Sequence, residues 1–315
     1  MKLDLVDPEL RRAVRRMPRL PVRGKVGRRI VRALVRRGGI GKPAAGVAVT
    51  DVDEGQGIRL YTPAGGGSGA ALLWVHGGGY LIGDIAQDDA LCSATAHELD
   101  IVVVSTNYRL APEHPFPAAL DDTFAAWQWL LASAGKLGID PERVALGGSS
   151  AGAGLAACLV QRLHDAGGSQ PVAQWLLAPM LDDRTAARRE LDPARHLVWN
   201  NAANRTGWGA YLRAAPGGRD TPPYAVAARR ADLGGLPPAW ISVGDIDLFT
   251  DECRAYADRL REAGVGCAFD LVPGAPHGFE GWAPDTRIAR GLLARGRAWL
   301  SARLTGPAPA APGKA

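Results

Sequence analysis

Six short, almost wholly apolar runs recur along this chain with helical segments between them: Ala71 to Val75, Ile101 to Ser105, Arg143 to Leu146, Ala173 to Leu177, Ala239 to Val243 and Cys267 to Val272. A strand that alternates apolar and polar residues has one wet face, whereas a continuous apolar run has to be covered on both. The segments near Asp88 to Leu99, Ala118 to Ala134, Ala151 to His164, Thr250 to Ala263 and Thr286 to Leu304 supply that cover. The pattern predicts an α/β fold, a mostly parallel central sheet with helices on both faces. Val47 to Val52 and Ile58 to Thr62 alternate around Asp53-Glu54-Gly55-Gln56-Gly57 and start the sheet as a β-hairpin.

One stretch breaks the alternation. Residues 182–236 hold no convincing strand but concentrate Trp199, Trp208, Tyr211 and Tyr224. An insertion of that length inside a compact domain is usually functional. It is predicted to form helices folded over the ligand edge of the sheet, together with an N-terminal helical segment, residues 1–45. The core is then residues 46–181 and 237–304, and the Pro- and Ala-rich residues 305–315 read as a disordered tail. A chain of 315 residues accommodates one such domain with its insertion.

Charge is distributed unevenly. Residues 1–37 carry 13 Lys or Arg against 3 acidic residues, a net of +10 in a chain whose total is +5. Val26, Ile30, Val31, Leu34 and Val35 interleave with Arg28, Arg29, Arg32, Arg36 and Arg37 at helical spacing, which predicts one buried stripe and one solvated face. No aromatic residue stands there to stack on a base, so a nucleic-acid partner is not expected. No run approaches the roughly 18 apolar residues of a membrane span, and stable membrane insertion is not expected either. Asp4, Asp7 and Glu9 replace the basic start of a secretory leader, so cytoplasmic residence is the expectation. Cys92, Cys158, Cys253 and Cys267 form no Cys-x-x-Cys pair and are expected as reduced thiols, mostly in the core.

Against this frame, Gly148-Ser149-Ser150-Ala151-Gly152 follows the Arg143 to Gly147 run and opens the Ala151 helix. A serine on a sharp strand-to-helix turn is pushed outward, and flanking glycines let the helix pass close to the next strand. A serine hydroxyl is a weak nucleophile near neutral pH and needs a base, and the base needs a group to orient it. Of six histidines, His97 and His164 fall in predicted helices, His196 in the insertion, His114 in a proline-rich turn and His76 beside glycines. His277 lies in Pro273-Gly274-Ala275-Pro276-His277-Gly278-Phe279, directly after a strand, where ligands bind in this class of sheet. The acid is expected between serine and histidine in the chain. Asp245, Asp247 and Asp251 compete after the Ala239 to Val243 strand: Asp247, on the turn itself, ranks first, Asp245 second, and Asp251 sits where a carboxylate serves the helix dipole. His76-Gly77-Gly78-Gly79-Tyr80, after the strand ending at Val75, offers backbone N–H groups with no side chain in the way, and the N–H of Ala151 adds a donor.

Taken together, His76 to Tyr80, Tyr108-Arg109-Leu110-Ala111-Pro112-Glu113-His114-Pro115-Phe116-Pro117-Ala118-Ala119, the Ser150 pentapeptide, Asp247 to Glu252 and His277-Gly278-Phe279 make the chain resemble the bacterial hormone-sensitive-lipase-like esterases of the α/β-hydrolase fold, over most of its length. The resemblance implies a Ser150, Asp247, His277 triad, an oxyanion hole from the N–H groups of Gly78, Gly79 and Ala151, and a helical cap over an acyl pocket. It implies that Glu113 braces its loop rather than reacts. It further implies cofactor- and metal-independent hydrolysis of a small-molecule ester of short to medium acyl chain. An amidase or formamidase with the same triad is the alternative within enzymes. Noncatalytic plant hormone receptors are similar too, but they lack the catalytic histidine that here stands as His277. Three positions depart from many relatives: Ser149 for Asp, Ala153 for Gly, and Leu248 for the proline after the acid. Nothing in the sequence distinguishes a monomer from a homo-oligomer.

Overall fold

The computed structural model describes residues 3–17, 22–37, 41–194 and 196–305; the tail read from the sequence lies, after residue 305, outside them. Two N-terminal helices, α1 (Arg11–Arg16) and α2 (Lys25–Val35), precede the hairpin β1 (Val47–Val52) and β2 (Ile58–Pro63). There follow β3 (Ala71–Val75), α3 (Asp89–Leu99), β4 (Val102–Thr106), α4 (Ala118–Leu137), β5 (Val144–Ser149), α5 (Ala151–Ala166) and β6 (Gln174–Leu177). The predicted insertion contains α6 (Asp183–Ala187), α7 (Asn201–Leu212) and short 3-10 turns, with no strand among its described residues. The chain returns to the sheet through β7 (Ala239–Gly244), α8 (Thr250–Glu262), β8 (Cys267–Val272), α9 (Phe279–Trp282) and α10 (Arg287–Leu304).

The eight strands form one sheet in the order β1-β2-β4-β3-β5-β6-β7-β8. β1 to β2 and β2 to β4 pair antiparallel, and all pairs from β4 to β8 are parallel. Every residue of β3 and β4 is buried, and the side chains of β3 divide between two cores. Leu73 and Val75 join the core containing α4, α5 and α8, whereas Leu72 and Trp74 join the one containing α3 and α10. That division is what the continuous apolar runs require: successive side chains point to opposite faces and both faces are covered. Burying a Leu or Val side chain contributes about 1.5–3 kcal/mol, so charged substitutions have no place in these runs.

The chain leaves β3 toward β4 on one side and returns on the other as β5. The carboxyl ends of β3 and β5, with Val75 opposite Gly148, therefore flank a topological switch point, where open α/β sheets bind ligands. β7 and β8 end in register at the same edge, Gly244 opposite Val272.

Glu252, in the first turn of α8, fastens this edge from beneath. Its Oε1 accepts from the N–H groups of Leu181 (2.8 Å) and Asp182 (3.2 Å), just past β6, while Oε2 has no partner among the described residues. Burial pushes its pKa well above the ordinary carboxylate range. Glu252→Ala strands one buried and one partly buried donor, the buried one at about 1–3 kcal/mol and the other at less; urea titration should show a loss of roughly 2–4 kcal/mol, whereas Glu252→Gln, which keeps the accepting oxygen, should stay within about 1 kcal/mol.

The N-terminal stripe departs from its prediction. Val31 is buried and Val35 half-buried, but Val26, Ile30 and Leu34 are 72%, 55% and 56% exposed. The inward face is held instead by Arg32, which donates to the carbonyls of Leu81 and Ala111 and pairs with Glu113 at 3.0 Å. Glu113 thus braces its loop against α2. The four cysteines carry free thiols, three of them buried and Cys267 half-buried. No helix among the described residues is long and apolar enough to cross a membrane.

Candidate active site

Ser150 sits between β5 and α5 with φ 53° and ψ −120°, a conformation that costs a residue with a side chain about 1–3 kcal/mol. Three hydrogen bonds hold it there: its N–H donates to the Leu177 carbonyl (2.8 Å), and its own carbonyl accepts from Gly154 and Met180 (3.0 Å each). The tight turn depends on small neighbours. A Cβ at Gly152 would collide with the carbonyl oxygens of Val75 and His76, so α5 begins against the end of β3 only because that residue is glycine.

Facing the serine, His277 follows β8 and is fixed on three sides. Its carbonyl accepts from Trp282 Nε1 at 2.9 Å, its ring meets Phe249 edge-on at 5.1 Å, and Gly278 beside it turns the chain into α9 with φ 63°. Nε2 lies 2.8 Å from Ser150 Oγ, and Nδ1 lies 2.7 Å from Asp247 Oδ2. Asp247 Oδ1 also accepts the N–H of Phe249 at 3.0 Å, which fixes the carboxylate on its turn. In this arrangement Nδ1–H donates to the carboxylate and leaves Nε2 as the acceptor for the serine proton. Burial opposes protonation of His277, but the Asp247 carboxylate, with Glu280 adding to it, holds its pKa above the ordinary histidine value.

The other two aspartates serve different ends. Asp245 Oδ1 accepts the Gly274 N–H at 2.7 Å and ties the β7 turn to the β8 turn. Asp251 is exposed and reaches Arg188 at 3.4 Å. His76 is buried, stacked on Tyr108 with centroids 4.3 Å apart, and next to Asn107.

A cavity of about 1430 Å³ opens over Ser150 and His277, larger than the 300–1,000 Å³ of ordinary ligand pockets. Gly78 and Gly79 line it, and their N–H groups donate to no acceptor among the described residues. Ala151, at the first position of α5, has no intrahelical acceptor for its N–H. Gly79 has φ +60°, and a Cβ there would enter the Trp199 ring. Trp199 lines the cavity, whereas Trp208 and Tyr211 pack on Tyr80, with Tyr211 stacked at 4.1 Å. Val14, Met17 and Val22 of the N-terminal segment close another side.

Residues 72–281 match the family model described as alpha/beta hydrolase fold. The chain belongs to the α/β-hydrolase family. The hydrolase is 38% identical over 234 residues to LipN, a carboxylic ester hydrolase of Mycobacterium tuberculosis; the match covers 70% of this chain and 60% of LipN, so the chain spans less than two thirds of that relative. A bacterial heroin esterase shares its structure with a TM-score of 0.89 at 32% identity, over 97% of this chain and 100% of that one. An esterase of the bacterial hormone-sensitive lipase family does so with a TM-score of 0.77 at 29% identity, over 95% and 99%. The resemblance carried by the sequence motifs is borne out: relatives and structural neighbours of the chain are esterases of this fold.

Sequence reasoning passed over several groups of the cavity. Glu280, three residues after His277, lines it with 6% exposure, and burial pushes its pKa up to about 7. Asp88 accepts from Trp74 Nε1 at 2.7 Å and is likewise pushed by burial to about 6. Asp192 and Arg205, joined by two hydrogen bonds of 2.7 and 3.0 Å, sit on the insertion side. His196, which sequence reasoning left in the insertion without a role, also lines the cavity. Glu280 alone had a sequence signal, its short distance past the histidine turn; the others reach the cavity through the fold.

Proposed function

We propose that this hydrolase cleaves small carboxylic esters through an acyl-enzyme on Ser150. The observation that carries the reading is the hydrogen-bonded series Ser150 Oγ, His277 Nε2, His277 Nδ1, Asp247 Oδ2, with links of 2.8 and 2.7 Å and each residue placed just past the end of a different parallel strand. Ser150 attacks the carbonyl while His277 takes its proton. The N–H groups of Gly78, Gly79 and Ala151 receive the oxyanion, each donor contributing about 3 kcal/mol to the transition state. His277 returns the proton to the leaving alcohol, and water activated by the same histidine releases the acid. Asp247 keeps the imidazole in the required tautomer and stabilises the imidazolium. No cofactor enters this scheme.

In the same reading residues 1–45 and 182–236 form a cap over a core of residues 46–181 and 237–304. Residues from both cap segments, Val22 and Trp199 among them, line the cavity. The substrate in this reading carries a short to medium acyl chain, as the family resemblance implies. The test is a series of p-nitrophenyl esters of increasing chain length set beside the corresponding anilides. Rates should pass through a maximum at short to medium length and exceed those of the anilides. A flat profile would place the substrate elsewhere, and anilide turnover equal to ester turnover would favour an amidase with the same triad.

A further inference from the structure

We propose that the outward face of α2 docks this hydrolase on an anionic lipid surface. Val26, Ile30 and Leu34, spaced four residues apart, form a single apolar stripe along the helix, 72%, 55% and 56% exposed. Such a stripe is not required by the fold, because the opposite face already anchors the helix through Val31 and through Arg32 on Leu81, Ala111 and Glu113. Along one side of it stand Lys25, Arg29 and Arg36, and at its two ends Arg23 and Arg37, all exposed and none with a salt bridge among the described residues. From Leu10 to Thr50 the chain carries 13 Lys or Arg and no Asp or Glu.

The occupant follows from combining the two features. An apolar stripe alone fits any greasy partner, and a cationic patch alone fits any polyanion. A helix with apolar residues on one line and basic residues along one side and at its ends fits the boundary between phosphate headgroups and acyl chains, where each set finds its own layer. Residues 10–50 contain no Phe, Tyr or Trp for base stacking, which sets nucleic acid aside. Val22 and Arg23, the residues leading into α2, line the cavity over Ser150, so a docked helix places that cavity beside the lipid. The inference concerns adsorption at the surface and stands independently of the acyl-enzyme reading.

The experiment is cosedimentation of the full chain with phosphatidylcholine vesicles containing about 30% phosphatidylglycerol, set beside phosphatidylcholine alone. Binding should favour the anionic vesicles and fall sharply between about 0.1 and 0.5 M salt as screening shortens the reach of the charges. Each basic residue near such a surface is worth about fivefold in partitioning, so Arg29→Glu/Arg36→Glu should lose at least about 25-fold. Ile30→Asp/Leu34→Asp should lose at least about 100-fold. Both variants should hydrolyse dissolved p-nitrophenyl acetate as the parent does, which reports an intact fold. The proposal is overturned by absence of binding to anionic vesicles, by equal binding of the variants, by tighter binding to a DNA duplex at the same salt, or by a dimer in solution that the stripe variant disrupts while no vesicle binding is seen.

Discussion

Ser150→Ala is expected to lower kcat for a p-nitrophenyl ester about 10⁶-fold, a loss of roughly 8 kcal/mol of transition-state stabilisation. The size of the effect follows from what is removed. Among the described residues, only Ser150 Oγ lies within hydrogen-bonding distance of His277 Nε2, at 2.8 Å. Without it the histidine has no nucleophile to deprotonate, and the glycine N–H groups can only assist attack by water. Binding should survive, because the cavity walls are unchanged, so KM should move far less than kcat. The fold should survive as well: alanine meets the same backbone strain at φ 53° as serine, and the hydrogen bonds to Leu177, Gly154 and Met180 are all made by the main chain. The variant should also fail to take up a phosphonate label that the parent accepts.

Asp247→Asn is expected to cost about 10⁴-fold in kcat. An amide at this position offers an N–H₂ group to Nδ1, which drives the proton to Nε2 and removes the acceptor that Ser150 needs. The pH profile carries an independent sign. His277 must be neutral to act as base, and its pKa is held above the ordinary 6.5 by Asp247 against the opposing effect of burial. Activity of the parent should therefore rise with pH through a midpoint above that value. With the carboxylate gone, burial acts with less opposition and the midpoint of the residual activity should move down. Asp245→Asn keeps an oxygen for the Gly274 N–H and should lose less than about tenfold. Asp251→Asn removes an exposed contact of little worth and should leave kcat unchanged. Equal losses in all three would leave the acid unassigned.

Much of the fold was legible because apolar continuity is enforced residue by residue. All eight strands lie within a few residues of where the pattern put them. The largest shift is at β5, which runs on through Gly147 and Gly148 to Ser149, because glycine has little strand preference of its own and is kept there by the neighbours β3 and β6. The turn residues around Ser150, Asp247 and His277 were legible for a related reason: strand ends punctuated by glycine and proline leave few positions for a side chain to face the switch point.

What the sequence hid depends on partners far along the chain. The 3.6-residue period of α2 identified an apolar stripe, but periodicity cannot say whether another element covers it. Here Arg32, through its carbonyl partners, took the inward face and left Ile30 and Leu34 outside. Asp88 looks like an ordinary surface acid in sequence and Glu280 is marked there only by its distance past the histidine turn; the cavity wall assembled around them makes them buried and shifts their titration. Trp199 and Trp208 are alike in composition and differ in role because one meets Gly79 and the other Tyr80. Such distinctions are made by tertiary contacts.

The most direct measurement of the central claim is covalent trapping. The parent and Ser150→Ala are incubated with a p-nitrophenyl phosphonate, and the site of attachment is read by peptide mass mapping alongside residual activity. The account predicts stoichiometric labelling on the peptide containing Ser150, loss of activity in step with it, and no label on the variant. Attachment at another residue, or labelling of Ser150→Ala at the parent's rate, would contradict it.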